Sequence, residues 1–269
     1  MASGAAQVAG VAAGRISRRR REMIARHLQR IHGAGLEGPA LDREVDRAFG
    51  SYGRYWMESF RLAARDGAEL EAGMCYEGIG NLETARAGGR GAILAMPHLG
   101  AWDWGGAWLT ASGFPLTVVA ETLEPPELFD WFAAWRRQLG MTVVPLDRSA
   151  GKGVMAALRR GEAVGLLADR DLTGDGIEVE FFGERTRLPG GPATLAIRTG
   201  APLLPACVLF EGDHHRGIIR PALDTSRRGL LREDVARVTQ DMADALAALV
   251  RRAPEQWHVF QPNWPSDLK

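Results

Sequence analysis

The chain predicts an α/β fold, with a largely parallel central sheet covered by helices on both faces. Three observations carry that expectation. Short apolar runs of strand length recur: "GAILAM", "PLTVVAE", "MTVVPL", "AVGLLA" and "PLLPACVLF". Segments of helical periodicity lie between them, with glycine or proline at most junctions. With 269 residues, 46% of them hydrophobic, the chain can also bury a sizeable core.

The elements follow in order. Residues 1–14, "MASGAAQVAGVAAG", are small and mildly apolar and are expected as a flexible tail. A single domain is expected over residues 15–269. Arg15 to Ile31 reads as a basic helix, whose seven arginines meet one acid, Glu22. Leu41 to Ala64 reads as a second helix, and "CYEGIGNLETARAGGRG", broken by Gly88, Gly89 and Gly91, as the approach to the first strand. After "GAILAM" a helix is expected from Asp103 to about Ala111. Pro125 and Pro126 open another, in which Leu128, Phe132 and Trp135 recur at helical spacing until Gly140. "VMAALRR" is a short helix stopped by Gly161. "IEVEFFGERTRLP" alternates and turns at Gly183-Glu184, predicting a hairpin. Pro192 starts a helix to about Thr199. Leu231, Val235, Val238, Met242, Leu246 and Leu249 form the stripe of a last amphipathic helix.

Composition narrows the function classes. Formal charge balances at zero, which argues against nucleic acid as a partner of the whole molecule. The two cysteines, Cys75 and Cys207, lack C-x-x-C spacing, so neither a disulfide framework nor a structural zinc site is expected. The basic cluster follows the apolar opening, the reverse of a secretory signal. The longest uncharged run, Trp104 to Ala120, is short of the ~20 apolar residues a bilayer-spanning helix needs and is broken by glycine and proline.

In parallel sheets ligands gather at the carboxyl ends of strands. The residues just past those ends are His98, Glu121, Asp147-Arg148 and Asp169-Arg170-Asp171. His98 is the strongest single candidate: a strand-end imidazole can face a cleft with one nitrogen while a carboxylate holds the other, as general-base chemistry requires. Five helical residues turn through ~500°, so His98 pairs with Asp103 only if His98 lies in the preceding loop. Pro97 favours that placement. Asp169, from a neighbouring strand end, is the other possible orienter. Trp102, Trp104 and Trp108 crowd the segment after His98. Such aromatics are either core or the wall of an acyl channel. Arg136 and Arg170 either pair with acids or hold an anionic substrate. His214 and His215 are adjacent and point apart in a strand, a poor metal-ligand spacing.

Several segments together, "MPHLGAWDWGGAWL", "FAAWRRQLGMTVVPL", "LLADRDLTGDGIEVEFFGERTRLPGG" and "PEQWHVFQPNW", resemble the bacterial lipid A biosynthesis (lauroyl/myristoyl) acyltransferase family. The likeness is greatest to its actinobacterial phosphatidylinositol mannoside acyltransferases. The resemblance implies a glycerolipid-acyltransferase-like fold and transfer of a long-chain fatty acyl group from acyl-CoA, a co-substrate, to a sugar hydroxyl of a membrane glycolipid. It implies no metal and no resident cofactor. By position His98 matches the family's base, Asp103 the acid of its H-x4-D box, and Asp169 an acid assisting the histidine. Arg136, Glu121, Arg170, Trp102 and Trp104 are the expected substrate contacts. The expected location is peripheral, on the cytoplasmic face of the cell membrane, with the Arg15–Arg30 helix against an anionic surface. A thioesterase-like hydrolase and a non-catalytic lipid-binding protein are the competing readings.

Overall fold

Five apolar strands order themselves because each must bury both faces, which only a helix-covered parallel sheet allows. The computed structural model describes residues 2–33 and 35–268. Its main sheet contains β1 (Met74–Glu77), β2 (Ala92–Met96), β3 (Leu116–Ala120), β4 (Thr142–Pro145), β5 (Ala163–Leu167), β8 (Leu203–Glu211) and β9 (His214–Ile219), in the order β1-β9-β8-β2-β5-β3-β4. Neighbours pair in parallel except β8 with β9. The remaining strands, β6 (Ile177–Phe181) and β7 (Glu184–Leu188), form the expected hairpin. Its turn falls on Phe182 and Gly183, at φ 53° and 78°, one residue earlier than the sequence suggests. Two successive positive φ values suit the tight turn that a right-twisted ribbon favours.

Alternation along β2 shows how the sheet is buried. Ile93 and Ala95 join a cluster with Val238, Met242 and Leu246 of α10 (Leu231–Val250), while Ala92 and Leu94 face the opposite layer with Trp104 and Trp108 of α6 (Trp102–Ala111). Burying each large aliphatic side chain contributes ~1.5–3 kcal/mol, so the α10 stripe holds that helix firmly to the sheet.

Two departures from expectation concern edges. The segment before β2 is not a bare connection: it contains β1 and α5 (Ile79–Ala87). Of the expected tail, Met1 lies outside the described residues, and residues 2–14 are helical. Helix α1 (Ala2–Ile16) lies along α3 (Gly38–Leu62), because its residues combine good helix formers with a glycine face that admits close approach. A Cβ built on Gly10 would stand 2.3 Å from the Phe49 carbonyl oxygen, and one on Gly53 would stand 2.4 Å from that of Ala6. Ser17 separates α1 from the basic α2 (Arg18–His32), so the predicted Arg15–Ile31 helix is divided.

Candidate active site

Strands β2 and β5 are hydrogen-bonded neighbours with Met96 opposite Leu167, so the residues two beyond each, His98 and Asp169, emerge side by side. The carboxylate of Asp169 is fully buried and grips its neighbour twice. Oδ1 lies 2.6 Å from His98 Nδ1, and Oδ2 accepts from the His98 backbone N–H at 2.7 Å. Oδ2 also accepts from Trp257 Nε1 at 2.7 Å. Burial by itself would raise the Asp169 carboxyl; the His98 charge and these hydrogen bonds outweigh it and hold the group below its ordinary range. An ionised carboxylate only accepts, so the neutral imidazole carries its proton on Nδ1 and leaves the Nε2 lone pair free. Nε2 has no hydrogen-bond partner among the described residues, and the ring lines a cavity of about 1070 Å³.

The loop holding His98 is pinned at several points. Gly100 and Ala101 N–H groups donate to the Gln256 and Val208 carbonyls at 2.9 and 2.8 Å, and the His258 N–H donates to the His98 carbonyl at 2.7 Å. Gly100 is required here: its φ is 63°, and a Cβ would meet the Val208 oxygen at 2.1 Å. The C-terminal segment is tied to β8 in turn through the Gln256 amide, bonded to both backbone groups of Phe210.

The acid of the H-x4-D box has a different duty. Asp103 does not orient the imidazole; it accepts from Arg136 Nε at 2.9 Å and from the Tyr55 hydroxyl at 2.7 Å. Burial opposes the Arg136 charge, but Asp103 beside it prevails and the guanidinium stays above its ordinary value. The Tyr55 phenol is raised well above its usual value by burial, reinforced by the Asp103 charge. Asp103 and Arg136 both line the cavity, so this fixed charge pair forms part of its polar wall.

Of the remaining expected contacts, Trp102, Glu121 and Arg170 also line the cavity. Trp102 stands edge-on to His98 at 5.6 Å between centroids and packs on Tyr55 at 4.2 Å. Trp104 does not reach the cavity. Two residues further along α6 it points to the other side, since each helical residue turns by ~100°, and it stacks on His215 at 4.0 Å. Below the polar rim the walls turn apolar, with Leu94, Met96, Leu116, Val118 and Met141 among them. Gly165 in β5 leaves the floor open: a Cβ there would come within 3.3 Å of Val118.

Sequence reasoning about single residues missed Tyr55, Trp257 and His258. His258 is buried at the cavity wall, its Nε2 bonded to Ser51 Oγ at 2.9 Å and its Nδ1 without a partner among the described residues. Burial, then the nearby His98 charge, pushes its pKa down to about 3, so the ring is neutral. The available signal was the short run "PEQWH", which carries both Trp257 and His258.

The family described as bacterial lipid A biosynthesis acyltransferase matches residues 1–266. The chain belongs to that family. Among its relatives, the phosphatidylinositol mannoside acyltransferase of Mycolicibacterium smegmatis is 42% identical over 252 residues, covering 92% of this chain and 80% of that one. The Mycobacterium tuberculosis (strain H37Rv) protein of the same name is 40% identical over 255 residues, covering 92% and 78%. The lipid A biosynthesis acyltransferase of Haemophilus influenzae is 26% identical over 220 residues, covering 80% and 67%.

Proposed function

We propose that the protein transfers a long-chain fatty acyl group from acyl-CoA to a sugar hydroxyl of a membrane glycolipid, in the first instance a phosphatidylinositol mannoside. The observation that carries this reading is His98 at the cavity wall, its Nδ1 held by Asp169 and its Nε2 without a partner among the described residues. The names of the mycobacterial relatives supply the acceptor class.

In the reaction the acceptor hydroxyl gives its proton to His98 Nε2 as its oxygen attacks the thioester carbonyl. Asp169 stabilises the imidazolium that forms, which then returns the proton to the departing CoA sulfur. Such positioned proton transfer is worth ~10²–10⁴-fold in rate. Direct attack, without an acyl-enzyme, fits the other groups nearby. Cys207 borders the cavity, but burial pushes its thiol up to about 12, so it remains protonated and a poor nucleophile. Ser51 is bonded to His258, yet among the described residues no carboxylate holds that ring's other nitrogen. The Asp103–Arg136 pair is suited to fixing sugar hydroxyls, and the apolar floor to holding the acyl tail at ~0.8 kcal/mol per buried CH₂. Glu121 and Arg170, at the rim, face the polar parts of the two substrates.

The protein is proposed to act as a peripheral protein at the cytoplasmic face of the membrane. No described helix is long and apolar enough to cross a bilayer. Incubation with radiolabelled palmitoyl-CoA and a panel of membrane glycolipids, with products identified by mass spectrometry, tests the reading. An acylated phosphatidylinositol mannoside is the expected product. Release of free palmitate at the same rate with and without acceptor would mean a thioesterase instead.

A further inference from the structure

Beyond the cavity mouth the surface is unusually apolar and aromatic. Leu128 of α7 (Pro126–Gln138) and Leu172 border the mouth while 41% and 39% exposed. Just outside stand Trp131 on α7, 49% exposed, and Phe60 on α3, 60% exposed, in edge contact at 6.2 Å. Neither lines the cavity. Both continue inward through aromatic contacts that do line it: Phe60 stacks on Trp56, and Trp131 meets Phe132 edge-on. Helix α1 extends the same surface. Gly10 and Ala6 lie against Phe49 and Gly53, so α1 is antiparallel to α3 and its N-terminal end points toward the Phe60 end of α3. Between residues 2 and 14 it carries no charged side chain, and Val8 is 71% exposed.

The basic segment is less free than its composition suggests. Arg15, Arg18, Arg21 and Arg30 form ion pairs within the chain, and Arg26 bonds the Asp267 carbonyl. Arg19 and Arg20 have no such partner among the described residues, and Arg20 stands at the cavity mouth. Two free cations therefore follow the C-terminal end of the uncharged α1, by the Asp46 end of α3, while the aromatic ridge lies toward its other end.

We propose that α1 together with the Phe60–Trp131 ridge seats in the interfacial layer of a lipid bilayer, so that the cavity opens against the leaflet and lipid acceptors enter sideways. Arg19 and Arg20 meet the headgroups. The occupant is a bilayer because the aromatic ridge is continuous with a cavity whose floor suits acyl chains, and because an uncharged helix with an aromatic ridge toward one end and free arginines at the other matches a surface that meets both tails and anionic headgroups. This deepens the acyltransferase reading and rests on it for the identity of the lipid.

The test uses the full chain and flotation with vesicles of phosphatidylcholine, neutral or containing phosphatidylglycerol. The double variant Phe60→Ser/Trp131→Ser should bind both kinds roughly 10–100-fold more weakly than the unmodified protein. Its acyl transfer in detergent micelles should stay unchanged. Arg19→Ala/Arg20→Ala should instead lose only the preference for anionic vesicles, by roughly fivefold for each arginine. Hydrogen exchange of the unmodified protein with vesicles needs no variant: slowing should concentrate in residues 4–14, 56–61 and 127–132. Unaltered vesicle binding by the double variant, or protection elsewhere, such as on β6–β7, would overturn the proposal. So would a lipid-free dimer buried through the same residues. Absence of acyl transfer in the unmodified protein would defeat the enzymatic reading alone and leave the flotation result standing.

Discussion

Three histidines are paired with carboxylates among the described residues, and only one of them is placed to do chemistry. His215 Nε2 lies 2.6 Å from Glu58, as close as His98 Nδ1 lies to Asp169. His27 Nε2 is 3.1 Å from Asp267. In His27 and His215 the second ring nitrogen is also spent, on the Val259 and Gly73 carbonyls, and each side chain is 3% exposed. The His98 side chain is 18% exposed and lines the cavity, and its second nitrogen has no partner among the described residues. A short histidine–carboxylate contact therefore marks a buried tie as readily as a base. Access to the other nitrogen separates the two.

That contrast can be broken or sharpened by substitution. The largest effect is expected from His98→Gln, which should cut acyl transfer by ~10³-fold or more with little change in melting temperature, whereas His215→Gln should do the opposite. Removing one member of a buried pair costs ~3–5 kcal/mol, read as a lowered denaturant midpoint for His215→Gln at near-normal kcat. Next comes Asp169→Asn. The amide can no longer hold the Nδ1 proton as a carboxylate does, and kcat should drop by ~10²–10⁴-fold with KM nearly constant.

Acid should expose a third difference. His258 is lowered to about 3 in the fold, against an ordinary 6.5 when unfolded, so the unfolded chain binds the extra proton first. Its contribution is complete above pH ~6.5 and is lost as pH falls toward 3, with a slope of up to ~1.4 kcal/mol per pH unit. Asp169, held below its ordinary value, adds a loss only at more acid pH, below its unfolded value of 3.8. Stability curves from pH 7 to 4 should therefore slope downward in the unmodified protein and flatten in His258→Gln. The smallest effect distinguishes two tryptophans of one helix: Trp102→Phe should raise KM, and Trp104→Phe should lower only the melting temperature.

Much of the sheet was legible because fully buried strands leave continuous apolar runs, as in β2, β5 and β8. The edge was not. In β1 only Met74 is buried, and β9 opens with two histidines and an arginine, so neither shows an apolar run. Helix α1 was hidden because its packing depends on the absence of side chains at Gly10 and Gly14, which reads locally as flexibility. At the site, the strand-end rule found His98 and Asp169, but spacing along the chain left Asp103 an equal rival. The register of β2 with β5 decides between them, and register is a property of paired strands. Tyr55 comes from a distant segment that carries no local mark of its role, and His258 is marked only by the run "PEQWH".

Accessibility of the imidazole tests the account most directly. Diethylpyrocarbonate acylates exposed, unprotonated imidazole nitrogens, and peptide mapping reads each histidine separately. Brief treatment of the folded protein should modify His98 along with the exposed His32 and His214, spare His27 and His215, and abolish acyl transfer in step with His98 modification. Palmitoyl-CoA should slow modification at His98 alone. Modification of His215 as fast as His98, or full activity after His98 is modified, would contradict the account.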